Sequence, residues 1–362
     1  MAGVSKINGI ALANVAKVNN IAKANLGKVS GITVPAAAAS YTSANSLLFD
    51  GTNERANTSL TMTTDVGSVS LWFKFGQTEG TDWIFMWHNY STAGDFSNGY
   101  MDIRLQQNSS TPASRFLIFS YKNSAGTTLA CNMKASSAHH GTGHSRWKYN
   151  NQDVGLNHIW PEFEYNANRL TETGSHSFSP AEGAEHGWHH FVATWDVNET
   201  YVGKDAQSAH KFRPTASHDG TTTTHTGTMR IYMDGTLRQF GQSRYPSHNY
   251  QRTPEGMTEI TATINEITLG GLPNGNNSAH GNIDDVACFD VKLSDAAVAA
   301  MYNSGVPTDL TSNSGDYTNS GDLTGYWKFD ETSGTSIADS STNSNNLTLV
   351  NSPTFDTGDA PS

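Results

Sequence analysis

Short runs of alternating apolar and polar residues recur along the chain, and this alternation is what most limits the possible folds. Residues 69–75, 83–87 and 116–121 are typical of half-buried strands, in which successive side chains point to opposite faces. Gly, Asn, Asp and Pro separate the runs. Residues 294–302 alone indicate a helix, with Ser294 as its N-cap. Ten or more strands and one short helix predict an all-β protein, a jelly-roll β-sandwich.

The composition fits a scaffold of strands and polar loops, and it argues against several other classes. Aromatic residues reach 10 %, which is too many for a disordered chain. No apolar run approaches the roughly 18 residues of a membrane-spanning helix, and the first 20 residues do not resemble a secretory signal. A net charge of −11 argues against nucleic acid as a partner. Cys131 and Cys288 cannot form a disulfide framework or a CxxC zinc site.

The N-terminal segment differs from the rest of the chain in charge and in pattern. Residues 1–49 hold four Lys and no acidic residue, giving +4, while the 18 basic and 33 acidic residues that follow give −15. Every 11 residues the pattern Lys, apolar residue, turn pair, Ile recurs, and Asn8-Gly9 is a typical tight-turn pair. We therefore expect three hairpins that cannot bury a core alone, so residues 1–34 form an assembly arm ordered by a partner; the alternative is a basic tail without fixed structure. The predicted anchor residues are Lys6, Ile7, Lys17, Val18, Lys28 and Val29.

Several motifs after the predicted linker at residues 35–45 occur in the order found in a known domain family. They are SLLFDG at 46–51, WHHFVATWD at 188–196, IYMDG at 231–235, ITLGG at 267–271, GNIDDVACF at 281–289, and LS to MYNSG at 293–305. Together they resemble concanavalin A-like domains of the laminin-G and pentraxin-like kind. The resemblance covers residues 46–310, with 132–187 as an insertion. It implies two antiparallel sheets, frequent glycan binding, and in some members one calcium ion at the rim.

Residues 311–362 resemble the first two strands of another such domain, beginning with YWKFDE at 326–331. About forty residues cannot form a second sandwich, so this extension either adds strands to the first domain or pairs with a neighbour. The N-terminal repeat resembles segments that begin virion structural proteins of tailed phages, especially marine ones. That resemblance implies a fibre or decoration subunit assembled in the host cytoplasm. Its expected partners are other virion proteins through residues 1–34 and copies of itself, with a trimer as one option, and no membrane insertion is expected.

Paired carboxylates suggest a metal site near the end of the main domain. Asp284 and Asp285 are adjacent, and calcium prefers several oxygen ligands. The resemblance implies that Asp50 approaches one of them at the rim, with Ca²⁺ as the cofactor. The alternative is that these aspartates cap turns and strand ends.

The insertion at residues 132–187 is longer than most loops in compact domains, and long loops often carry function. Aromatic rings can stack on sugar faces while polar neighbours fix hydroxyl groups. The residues predicted to contact a glycan or a partner are Trp147, Tyr149, Trp160, Tyr165, His139 and His140. A packed contact between subunits is the alternative interpretation, and metal binding by the histidines is a weaker one.

These patterns favour a non-enzymatic virion protein that displays a lectin-like sandwich. The alternatives are a non-viral carbohydrate-binding lectin and, with less support, a glycoside hydrolase on the same fold. A retaining hydrolase needs two carboxylates about 5–5.5 Å apart, and the nearest match, Glu162-Phe163-Glu164, lacks a third acid. We predict no catalytic residues.

Overall fold

The protein divides into two compact units, Met1–Thr42 and Ser43–Ser362. The computed structural model describes residues 41–75, 83–90, 99–107, 115–123, 128–134, 147–149, 152–154, 188–204, 222–240 and 264–362, together with six short strands before residue 34. No helix in this described part is long and apolar enough to cross a membrane.

The N-terminal unit contains three hairpins, one in each 11-residue repeat. Their strands are β1 (Lys6–Ile7), β2 (Ile10–Ala11), β3 (Lys17–Val18), β4 (Ile21–Ala22), β5 (Lys28–Val29) and β6 (Ile32–Thr33). Each pair is antiparallel and has the same two-rung register. The hairpins predicted from the turn pairs are therefore confirmed, whereas their role as an anchor remains a prediction.

The second unit is an antiparallel β-sandwich, which confirms the predicted all-β fold class. Its strands are β7 (Asn45–Asp50), β8 (Arg55–Ser59), β9 (Val66–Phe75), β10 (Trp83–Tyr90), β11 (Tyr100–Gln107), β12 (Arg115–Lys122), β13 (Thr128–Lys134), β14 (Trp147–Tyr149), β15 (Gln152–Val154), β16 (His189–Lys204), β17 (Thr222–Met233), β18 (Thr236–Phe240), β19 (Glu266–Leu269), β20 (His280–Phe289), β21 (Leu323–Trp327), β22 (Ser336–Ile337), β23 (Leu347–Val350) and β24 (Thr354–Thr357). Sheet A has the order β13-β12-β11-β10-β19-β8-β23-β22. Sheet B has the order β18-β17-β16-β9-β20-β7-β24, and β21 also pairs with β20.

Aromatic and aliphatic side chains from both sheets fill the space between them. Trp87 and Phe119 come from sheet A, and Phe73 and Trp195 from sheet B. The stacked rings of Phe119 and Trp195, 5.5 Å apart, join the two layers. Nine aromatic residues of the described part of the chain are buried in this core, where large rings remove much apolar surface from water.

A second apolar cluster lies on the outer face of sheet B, beneath the helix. Helix α1 (Asp295–Tyr302) begins at Ser294, whose Oγ accepts a hydrogen bond from the Ala297 N–H at 3.1 Å. The helix packs Ala297, Val298 and Met301 against strand residues such as Val192 and Tyr232. The helix predicted at residues 294–302 is confirmed, and it covers part of the outer face of sheet B.

The C-terminal residues belong to the sandwich. Strand β21 pairs with β20 and β24 pairs with β7 in sheet B, while β23 extends sheet A by pairing with β8. Of the two arrangements considered for residues 311–362, the structure shows the addition of strands to the same domain. The short 3₁₀ helices Asn303–Gly305 and Ser320–Asp322 lie in the connections.

The polar motif DSSTNSN at 339–345 closes a loop of this C-terminal part. Asp339 accepts hydrogen bonds from the backbone N–H groups of Tyr326, Ser341 and Asn345 at 2.8–2.9 Å. The Asn343 side chain donates to the carbonyl of Leu323 at 2.9 Å. These side chains replace the backbone partners that an irregular loop lacks, so the motif is structural.

Candidate functional site

The outer face of sheet A carries a row of polar side chains across five strands. The strands alternate, so Trp87, Met101 and Phe119 point into the core while the residues after them point outward. The register places Asn57, Thr268, His88, Asp102 and Ser120 side by side on β8, β19, β10, β11 and β12. Four strand spacings of about 4.8 Å give this row a length of about 19 Å.

Two tyrosines flank the histidine at the middle of the row. Tyr100 stacks on His88 with ring centroids 5.4 Å apart, and Tyr90 meets the same imidazole edge-on at 5.3 Å. The Lys122 ammonium lies 5.7 Å from the Tyr100 ring centroid, and the Tyr90 hydroxyl is 3.2 Å from Thr268 Oγ1. We call this group the tyrosine face. It consists of His88, Tyr90, Tyr100, Asp102, Arg104 and Lys122.

Burial controls the protonation of the two titratable groups beneath the tyrosines. Burial, aided by the charge of Arg104, lowers the pKa of His88 to about 3, so this imidazole is neutral at pH 7. Burial raises the pKa of Asp102 to about 6, although Arg104 forms an ion pair with it and acts in the opposite direction. At neutral pH the layer below the tyrosines therefore contains a neutral imidazole beside a paired carboxylate and guanidinium.

The tyrosine face combines a buried base with a half-buried upper layer. His88, Asp102 and Arg104 are buried, whereas Tyr100 and Lys122 are half-buried. Ring stacking and ion pairing below hold the tyrosine ring in place, and a fixed aromatic ring loses little entropy when a ligand binds it. Such a surface can stack against an apolar ligand face and exchange hydrogen bonds with hydroxyl groups.

The aspartates considered for calcium do not form one set of ligands. Both Asp284 and Asp285 are buried, because a bulge in β20 with φ of 46° at Asp285 interrupts the alternation. Asp50 is exposed and lies opposite His280, four residues and about 13 Å along the strand from Asp284. The expected approach of Asp50 to the pair is therefore absent.

Protein groups already satisfy the buried pair. Ser43 Oγ donates to Asp284 at 2.6 Å, the Asp285 N–H donates to the same carboxylate at 2.9 Å, and the Tyr326 hydroxyl donates to Asp285. Burial and the charge of Asp285 raise the pKa of Asp284 well above its usual value. Within the described ranges no group of three or more acidic, His or Cys side chains is placed to hold a metal ion. The residues present therefore do not fit a calcium site of the predicted composition.

The other predicted contact residues fall in or near the insertion. Strand β14 places Trp147 opposite Val154 and Tyr149 opposite Gln152 of β15. His139, His140, Trp160 and Tyr165 lie outside the described residues, so their proposed contacts stay predictions.

The alternating runs at residues 83–87 and 116–121 predicted β10 and β12, whereas the tyrosine face was not predicted. The alternation in Tyr100-Met101-Asp102-Ile103-Arg104 places three polar side chains on one face, which is a visible signal. The alignment of His88 with Asp102 and Thr268 depends on register across strands that are up to 180 residues apart, and a single sequence does not contain it.

Comparison with known proteins yields only distant similarities. No family model and no curated protein matches the chain. A putative carbohydrate-binding protein from Bacteroides ovatus is 13 % identical with a TM-score of 0.41, covering 93 % of this chain and 66 % of the other. A heptameric pentraxin from Limulus polyphemus is 9 % identical with a TM-score of 0.35, covering 73 % and 84 %.

A bacteriophage tailspike protein 2 is also similar, at 12 % identity and a TM-score of 0.40. The tailspike alignment covers 78 % of this chain but only 26 % of the tailspike. This chain also spans only 66 % of the length of the Bacteroides ovatus protein. These similarities are too weak to assign a family or an activity. The function must therefore be argued from the tyrosine face and the sequence.

Proposed function

We propose that this protein is a non-enzymatic structural subunit of a tailed-phage virion, a fibre or decoration protein whose sandwich binds glycans. In this proposal residues 1–34 attach the chain to other virion proteins. The tyrosine face is the observation that carries the glycan-binding part. The resemblance of the 11-residue repeat to phage virion segments and the contrast of +4 against −15 support the assembly part.

Sugars suit the tyrosine face because they present both apolar C–H faces and hydroxyl groups. In this proposal the exposed part of the half-buried Tyr100 ring stacks on the sugar, and Lys122 beside it donates to a hydroxyl oxygen when the sugar binds. Stacking on His88 of the neighbouring strand β10 holds the Tyr100 ring in position. The face is therefore preorganised for a polar ligand with a flat apolar side.

Binding is favoured over cleavage by the arrangement of the carboxylates on the described part of this face. Asp102 is paired with Arg104, and Glu266, opposite Tyr90, lies on β19 with β10 between it and the strand of Asp102. Hydrolysis of a glycosidic bond normally uses two carboxyl groups on opposite sides of the bond. We therefore propose recognition without hydrolysis at this face.

A glycan array probed with the labelled full chain, followed by calorimetric titration of the best glycan, tests the binding proposal. Tyr100→Ala should weaken binding about tenfold, because aromatic contacts contribute about 0.5–1.5 kcal/mol beyond area burial. Phe355→Ala is the matched control, since this half-buried ring lies in β24 of sheet B. Equal affinities of the wild type and Tyr100→Ala would contradict a role for this face.

Electron microscopy of phage particles with a label attached at Ser362 tests the virion part. Label density on the particle surface is the expected result. Intact particles that contain no copy of the chain would contradict the virion assignment while leaving the glycan titration valid.

A further inference from the structure

The three N-terminal hairpins repeat one arrangement of residues. In each hairpin a Lys lies opposite a small residue on the first rung, as Lys6 lies opposite Ala11. An apolar residue lies opposite Ile on the second rung, next to the turn, as Ile7 lies opposite Ile10. The corresponding apolar rungs in the next two hairpins are Val18 with Ile21 and Val29 with Ile32.

Successive residues of a strand belong to opposite faces, so each hairpin has a basic face and an apolar face. Three hairpins in a row give six β-branched residues at apolar positions and three lysines at basic positions. A ribbon of two short strands is not stable alone in water, so the apolar positions require a partner surface.

The composition of the unit Met1–Thr42 removes the usual ways in which so short a segment becomes stable. A chain of about 40 residues normally needs disulfides, a metal or oligomerisation. Residues 1–42 contain no Cys, His, Asp or Glu, so disulfides, common metal ligands and internal ion pairs with acidic side chains are all excluded. Association with another polypeptide is the option that remains.

We infer that the arm associates with the arms of other copies of this chain through the apolar rungs. Identical rungs at an 11-residue spacing match one another when copies lie in register, whereas a different protein would need three equivalent apolar sites at the same spacing. Six β-branched side chains at about 100 Å² each supply roughly 600 Å² per copy, close to the roughly 800 Å² per partner of a stable interface. The lysine positions belong to the opposite faces of the hairpins and take no part in the proposed contact.

This inference rests on the proposed assembly role of residues 1–34 and adds contacts between copies of this chain to it: the apolar rungs join the copies, and other virion proteins bind elsewhere on the arm. The mass of the full-length chain in solution, measured by sedimentation equilibrium, is the test. The wild type should be an oligomer of the 39.0 kDa chain. The variant Ile10→Asn, Ile21→Asn, Ile32→Asn should associate at least about 1000-fold more weakly and sediment as a single chain, since it places a polar amide at three apolar positions of the proposed contact in every copy.

The matched control replaces the lysine on the first rung of each hairpin in one triple variant, Lys6→Gln, Lys17→Gln, Lys28→Gln. It should keep the wild-type mass. A wild-type chain of 39.0 kDa at micromolar concentration would overturn the inference in favour of a foreign partner. The inference would also be overturned if the triple Asn variant kept the wild-type mass, because the interface would then lie outside the apolar rungs. An unchanged thermal unfolding transition of the sandwich shows that the variants fold, and the glycan titration reports separately on the proposed binding function.

Discussion

Replacing His190 with glutamine should remove a large part of the acid sensitivity of the fold. His190 is buried on sheet B, where its ring stacks on Trp72 at 4.9 Å and its Nε2 lies 2.8 Å from Ser70 Oγ. Tyr302 of helix α1 lies parallel to the ring at 6.2 Å. Burial lowers the pKa of His190 from 6.5 to about 4, and the nearby charge of Asp234 only partly opposes this.

The sign and size of the effect follow from linkage between protonation and folding. The unfolded chain takes up the proton near pH 6.5 and the folded chain only near pH 4, so stability is full above 6.5 and is lost as the pH falls. A difference of about 2.5 pKa units corresponds to about 3 kcal/mol once the pH is below 4. About 2 kcal/mol of this is lost by pH 5.

Urea unfolding at pH 7 and pH 5, followed by tryptophan fluorescence, measures the effect. The stability advantage of the wild type over His190→Gln should shrink by about 2 kcal/mol between the two pH values. Ser70→Ala serves as the control, because it removes the hydroxyl partner and keeps the titrating imidazole. A difference between wild type and His190→Gln that is the same at both pH values would refute the reasoning.

Three further substitutions test the close packing and the buried carboxylates. Gly270→Ala should destabilise the fold by about 3 kcal/mol, since φ is +78° and a Cβ would lie 2.2 Å from the Phe49 ring. Gly334→Ala, at φ of +122° with open space around it, should cost only about 1 kcal/mol in the same urea titration. Asp284→Asn should raise the melting temperature relative to wild type at pH 7 and lose this advantage near pH 4. Because the pKa of Asp284 is raised in the folded chain, the stability of the wild type falls as the pH rises above about 4. A melting-temperature difference between Asp284→Asn and wild type that is the same at pH 4 and pH 7 would contradict the burial argument.

Strand positions were predictable because alternation is a local property of the sequence. The run predicted at residues 69–75 lies in β9, and the run at 189–195 begins β16. The turn at Asp234-Gly235 was also recognisable, since both residues have positive φ and join β17 to β18 as the dipeptide predicts. The continuation of β16 through Lys204 was not predicted. In the described residues this part of the strand, from Thr200 to Lys204, pairs with β17 and extends beyond its pairing with β9.

The sites were harder to predict because they depend on contacts between distant residues. The bulge at Asp285 buries two adjacent carboxylates, although regular alternation would place one of them outward. The partners of this pair, Ser43 and Tyr326, are 241 and 41 residues away in sequence. Likewise, His88 and Thr268 become neighbours only through the pairing of β10 with β19.

The most direct test of the central claim is NMR of the full chain with ¹³C-labelled tyrosine rings. The glycan selected on the array is titrated in, and the signals of Tyr90 and Tyr100 are assigned from Tyr→Phe variants. The account predicts saturable shifts of the Tyr100 signal, with smaller shifts of the more deeply buried Tyr90. Shifts confined to Tyr149 and Tyr165 would place the glycan on the insertion and contradict binding at the tyrosine face.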